Sequence, residues 1–68
     1  MLNFSDLLDD FYNGKAELGL FTTKNVVGED IIIEITNDYI KTSTCQKNGW
    51  IRVLIYHKDR TLEEIYEK

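Results

Sequence analysis

Between Thr42 and Asp59 the side chains alternate in character with a period of two, and the pattern breaks at one place, Asn48-Gly49. Period two marks a strand with two different faces. Asn-Gly between two such runs predicts a tight hairpin, because a type I′ turn needs positive φ at both central positions. Asn37-Asp38 is a second two-residue turn signal, and Asn25-Val26-Val27-Gly28 reads as a four-residue loop. These breaks predict strands over roughly 16–23, 30–36, 39–46 and 50–58.

Turn lengths fix register. Two-residue turns place Ile35 opposite Ile40 and Thr42 opposite Ile55, and the first loop places Leu20 opposite Ile33. The expected rows are Thr22–Ile31–Thr44–Val53, Leu20–Ile33–Thr42–Ile55 and Leu18–Ile35–Ile40–His57. All three lie on one face, and a slip of one residue would divide them between both faces.

Helices are expected at both ends. Phe4, Leu7, Leu8 and Phe11 form one helical stripe, with Asn3 or Ser5 to cap its start, Asp6 near the positive end of the dipole, and Asn13-Gly14 to stop it. At the other end, Thr61 and Glu64 fit a capping box ahead of Leu62, Ile65 and Tyr66, which predicts a short helix docked on the sheet. The expected fold is therefore α+β, in the order α-β-β-β-β-α. It is a four-stranded antiparallel β-meander with an N-terminal and a short C-terminal helix, in one small domain spanning residues 1–68.

A chain of 68 residues buries little surface, and its single cysteine, Cys45, cannot form an internal disulfide. Stability must come from a compact core or from self-association. The apolar content of 43% and charged content of 29% are those of a globular domain rather than a disordered one. No apolar run is long enough to span a membrane, and the acidic opening lacks the basic start of a signal peptide. With a lone thiol, the expected location is the cytoplasm. The net charge of −4 is uneven: residues 1–38 sum to −6, residues 39–60 to +4 and residues 61–68 to −2. Complementary charges on neighbouring strands, or two distinct electrostatic faces, would both produce this.

The predicted register leaves a second face. It carries the rows Phe21–Ile32–Ser43–Leu54 and Gly19–Glu34–Lys41–Tyr56, extended by Tyr39, Cys45, Trp50 and Arg52. If one terminal helix covers each face, these are ordinary core residues. Glu34, Lys41 and Arg52 argue against that, because buried charges need pairing. An uncovered patch of aromatics, one arginine and a polar rim has the composition of a protein-binding surface. The expected partner-binding residues are Phe21, Ile32, Tyr39, Lys41, Trp50, Arg52, Leu54 and Tyr56. The same patch could join two copies in a homodimer. Trp50, Tyr56 and Tyr39 could also stack bases while Lys41, Lys47, Arg52 and Lys58 track phosphates, but the acidity of the chain and Glu34 in mid-patch weigh against single-stranded nucleic acid.

Catalytic chemistry is not expected. His57 ends a predicted core-face row. Cys45 faces Arg52 rather than a histidine, adjacent Asp9 and Asp10 diverge on a helix, and the four glycines make no phosphate loop. No cofactor or metal set is visible. The expected function is a non-catalytic protein-binding module. In size, acidity and mixed layout the chain is similar to small phage-encoded inhibitors of host enzymes, such as anti-CRISPR proteins and the uracil-DNA glycosylase inhibitor. The opening NFSDLL resembles the NLSDII opening of the latter. That resemblance implies an inhibitor or adaptor of a host protein, with Asp6, Asp9, Asp10, Glu29 and Asp30 as an alternative, nucleic-acid-mimicking contact surface.

Overall fold

The computed structural model describes residues 3–68 as one helix on a five-stranded antiparallel sheet. The helix α1 spans Phe4–Tyr12. The strands are β1 (Gly19–Lys24), β2 (Asp30–Ile35), β3 (Tyr39–Cys45), β4 (Ile51–His57) and β5 (Leu62–Glu67), paired in chain order. The α+β class holds, with two corrections: there are five strands rather than four, and the C-terminal segment is a strand rather than a helix.

Helix α1 forms as its sequence dictates. Asn3 has extended dihedrals and its side chain accepts the Ser5 N–H at 3.0 Å. At the far end Gly14, with φ +73°, donates to the Phe11 carbonyl while Lys15 donates to the Asp10 carbonyl. This is the paired-bond stop that glycine makes at low cost. Gly14→Ala is expected to cost about 1 kcal/mol of stability, read as a lower urea midpoint at unchanged slope. An unchanged midpoint would contradict this account of the helix end.

The last turn of α1 carries no basic residue. The cations arrive instead from the hairpin between β4 and β5. The Lys58 ammonium donates to the Phe11 carbonyl and lies 4.3 Å from the Phe11 ring centroid. The Arg60 guanidinium lies 4.4 Å from the Tyr12 centroid. Both complement the negative end of the helix dipole and hold helix to sheet. Two of the bases in the positive middle segment are thus spent on the acidic first element.

Register departs from expectation at the turns. Thr36–Tyr39 is the expected two-residue hairpin, and Ile35 does face Ile40. The other three hairpins share a different design. In each, a residue accepts from the N–H three positions on and donates to the carbonyl four positions on: Asn25 with Gly28 and Glu29, Gln46 with Gly49 and Trp50, His57 with Arg60 and Thr61. The loop is three residues long, and its last residue has positive φ: Gly28 at +85°, Gly49 at +87° and Arg60 at +72°. This is a type I turn closed by a bulge. In the first hairpin the loop is one residue shorter than expected, and in the 46–50 hairpin one residue longer. Each change shifts pairing by one: Phe21, not Leu20, faces Ile33, and Leu54, not Ile55, faces Thr42. A shift of one inverts a strand's faces.

The helix-side face therefore carries Ile31, Ile33 and Ile35 of β2 and Ile40 and Thr42 of β3, as expected, but Phe21, Arg52, Leu54 and Tyr56 rather than Leu20, Val53, Ile55 and His57. Phe11, at 1% exposure, packs with Ile33, Ile35 and Ile40, and Phe4, Leu7, Leu8 and Tyr56 close around them. Strand β1 starts at Gly19, so residues 16–18, expected in the strand, precede it.

The capping box at Thr61 does not form. The Thr61 hydroxyl and N–H both go to Asp59 Oδ1, at 2.5 Å and 3.0 Å, and hold that carboxyl below its usual range. Leu62–Glu67 then pairs with β4. LEEIYE fits either period, but a two-turn helix is marginal in isolation, whereas a fifth strand satisfies the backbone groups that β4 would otherwise leave at its edge. No helix among the described residues is long and apolar enough to cross a membrane.

Candidate docking surface

The eight residues expected to form one patch fall on both faces. Ile32, Tyr39 and Lys41 lie on the face turned away from α1, where Lys41 stands opposite Glu34 as predicted. The Tyr39 hydroxyl donates to Glu34 at 3.3 Å, and the Glu34 charge, more than burial, raises its pKa. Phe21, Arg52, Leu54 and Tyr56 lie on the helix-side face. Tyr56 has its ring centroid 5.2 Å from that of Phe4, and burial raises its phenol pKa. It belongs to the packed edge of the core rather than to an open contact surface.

What remains together is a rim on β4 and β5, beyond the reach of α1. Tyr66 stands directly across from Arg52, and Glu64 directly across from Leu54. Glu64 Oε2 accepts from Arg52 Nε at 3.2 Å and from Nη2 at 2.9 Å, which raises the arginine pKa further. The pair is half exposed and adds little to stability; its consequence is geometric, since one carboxylate oxygen fixes the guanidinium plane. Trp50, 36% exposed, follows the bulge at the head of β4, its backbone N–H donating to Asn48 Oδ1. Trp50, Gln46, Asn48 and Tyr66 line a shallow depression of about 350 Å³. Tyr66 is 52% exposed, and the Lys68 ammonium lies 5.7 Å from the Trp50 ring centroid.

Tyr66, Glu64 and Lys68 were absent from the sequence-derived patch because their segment reads as a helix. A usable signal existed. Lys58-Asp59-Arg60 copies the pattern of Lys47-Asn48-Gly49, a turn with an acid or amide before its last residue, and Leu62, Glu64 and Tyr66 then alternate with Glu63, Ile65 and Glu67.

His57 lies on the face away from α1, with Nε2 2.5 Å from Glu63 Oε1 and Tyr39 across from it, rather than in a core row. Cys45 is exposed and faces Ile51 rather than Arg52. Among the described residues no three His, Cys, Asp or Glu side chains converge as metal ligands would. No family model matches the sequence, and no significant match is found among curated proteins or among solved structures.

Proposed function

We propose that the chain is a non-catalytic protein-binding module that docks a partner on the β4–β5 rim formed by Trp50, Arg52, Leu54 and Tyr66, in the manner of a small inhibitor or adaptor. One observation carries this reading: two large aromatics stay open to solvent beside an arginine already oriented by Glu64. Trp, Tyr and Arg are the side chains that most often dominate interface energies. An oriented arginine also loses less freedom on binding than a mobile one.

Site-specific photo-crosslinking in the native cell tests it. Benzoylphenylalanine placed at Trp50 or Tyr66 is expected to give one discrete protein adduct, and the same group at Asp9, on the exposed side of α1, none. An adduct from Asp9 alone would move the contact to the acidic helix and overturn the rim.

A second reading, single-stranded nucleic acid, draws on the Lys68 ammonium above Trp50 and on Lys47 in the adjoining turn. Trp50 is the sole tryptophan, so its fluorescence reports directly. The protein-binding reading expects no quenching by a single-stranded oligonucleotide at low salt. Quenching that is lost steeply with added salt would favour nucleic acid instead.

A further inference from the structure

The sheet face turned away from α1 has no second layer among the described residues, and its side chains are sorted. The middle row, Thr22–Ile32–Ser43–Val53–Ile65, crosses all five strands without a charge. Ser43 lies at its centre, flanked by Val53, 5% exposed, and Ile32, 46% exposed. Charged side chains occupy only the flanking rows: Lys24, Asp30 and Glu67 on one side, Glu34, Lys41 and Glu63 on the other. An uncharged band that holds Ile32, Val53 and Ile65 within a charged border has the anatomy of an interface.

We propose that this face joins two copies of the chain, sheet on sheet, about a two-fold axis running along β3. Size supports a second copy. The molecule is a slab with extents of 35 × 25 × 17 Å, and its broad side matches the about 800 Å² per partner of a stable interface. Its accessible surface is 4987 Å², roughly a tenth more than a compact monomer of this mass exposes. The broad side of the slab thus offers room for a standard interface on a molecule with surface to spare.

Charge placement selects the orientation. Aligned sheets pack with their strands within about 30° of each other. An axis along β3 lays β1 over the partner's β5, so Lys24 meets Glu67 of the partner subunit, twice by symmetry. The Lys41 side chains approach across the axis, each beside the Glu34 directly opposite it in its own sheet. An axis across the strands would instead set Asp30 over Glu34 of the partner subunit and Glu67 over Glu63 of the partner subunit, acid on acid. The helix-side rim faces outward in such a dimer, so this inference does not depend on the rim binding anything.

Cys45, exposed on β3 at the end of this face, lies close to the proposed axis and serves as a probe. Sedimentation equilibrium is expected to show a dimer, and a short bismaleimide to link it through Cys45. Ile32→Glu is expected to raise the dissociation constant at least tenfold with folded circular dichroism retained. Lys24→Glu is expected to weaken association, and Lys24→Glu with Glu67→Lys to restore it. A monomer at several hundred micromolar would overturn the proposal. So would a dimer that Ile32→Glu leaves unchanged and Cys45 does not link.

Discussion

Phe11→Ala is expected to leave the chain largely unfolded at room temperature. Among the described residues, Phe11 and Ile40 are the largest side chains that are essentially fully buried. Phe11 contacts the core isoleucines of β2 and β3, its carbonyl receives Lys58, and its ring lies under the Lys58 ammonium. Truncating a buried phenylalanine costs about 3–5 kcal/mol, and a domain this size has about that much in total. Among the described residues the buried apolar core consists of Phe11, Ile33, Ile35, Ile40 and Val53, so little is left to compensate. The check is far-ultraviolet circular dichroism against temperature. A cooperative transition within a few degrees of wild type would mean that the helix is not what closes the core.

The second large effect separates two aromatics six positions apart. Trp50→Ala is expected to weaken partner binding by about 2 kcal/mol, some thirtyfold, with no more than a small change in melting temperature. Tyr56→Ala is expected to do the opposite. Its ring packs on Phe4 and against the core cluster, so the loss is about 2–3 kcal/mol of stability, a fall in melting temperature of roughly 10 °C or more. Any loss of partner binding should then follow the unfolded fraction. Calorimetric melts of both variants, paired with binding to the crosslinked partner, decide the matter. If Trp50→Ala melts the domain, the rim is structural and the proposed function fails.

Helix α1 and the β2–β3 hairpin were legible because their signals have one interpretation, whereas the loop before β2 is one residue shorter than its sequence suggests and inverts β1. Phe4, Leu7, Leu8 and Phe11 make a stripe only as a helix, and Asn13-Gly14 can only stop it. Asn37-Asp38 fixed the β2–β3 register. The rest was ambiguous for physical reasons. Strand β4 is apolar on both sides, with Ile51, Val53 and Ile55 on one and Trp50, Leu54 and Tyr56 on the other. A strand like that does not specify its own register, and a coherent apolar face could be drawn either way. The choice falls to the turn, and Asn-Gly suits both a two-residue turn and a three-residue loop closed by a bulge, since glycine at positive φ serves in either.

Arg60 hides the last hairpin. A position with φ of +72° usually signals itself with glycine. Here an arginine accepts that conformation while its guanidinium stacks on Tyr12. Without that turn the closing segment reads as a helix, and Tyr66 and Glu64 drop out of the site. The consequence for the docking surface is specific: the patch read from sequence is divided between two faces, its Trp50–Arg52–Leu54 part joins β5, and its Ile32–Tyr39–Lys41 part belongs to the opposite side.

The rim and the uncharged band behind it both depend on where the bulged hairpins place β4 between its neighbours. Hα–Hα nuclear Overhauser contacts read this directly, because close pairs occur only between non-hydrogen-bonded partners. The ladder predicts them for Arg52 with Tyr66, Tyr56 with Leu62, and Ser43 with Val53. Successive amide–amide contacts through residues 62–67, as in a helix, together with pairing of Thr42 to Ile55, would dissolve both the rim and the uncharged band behind it.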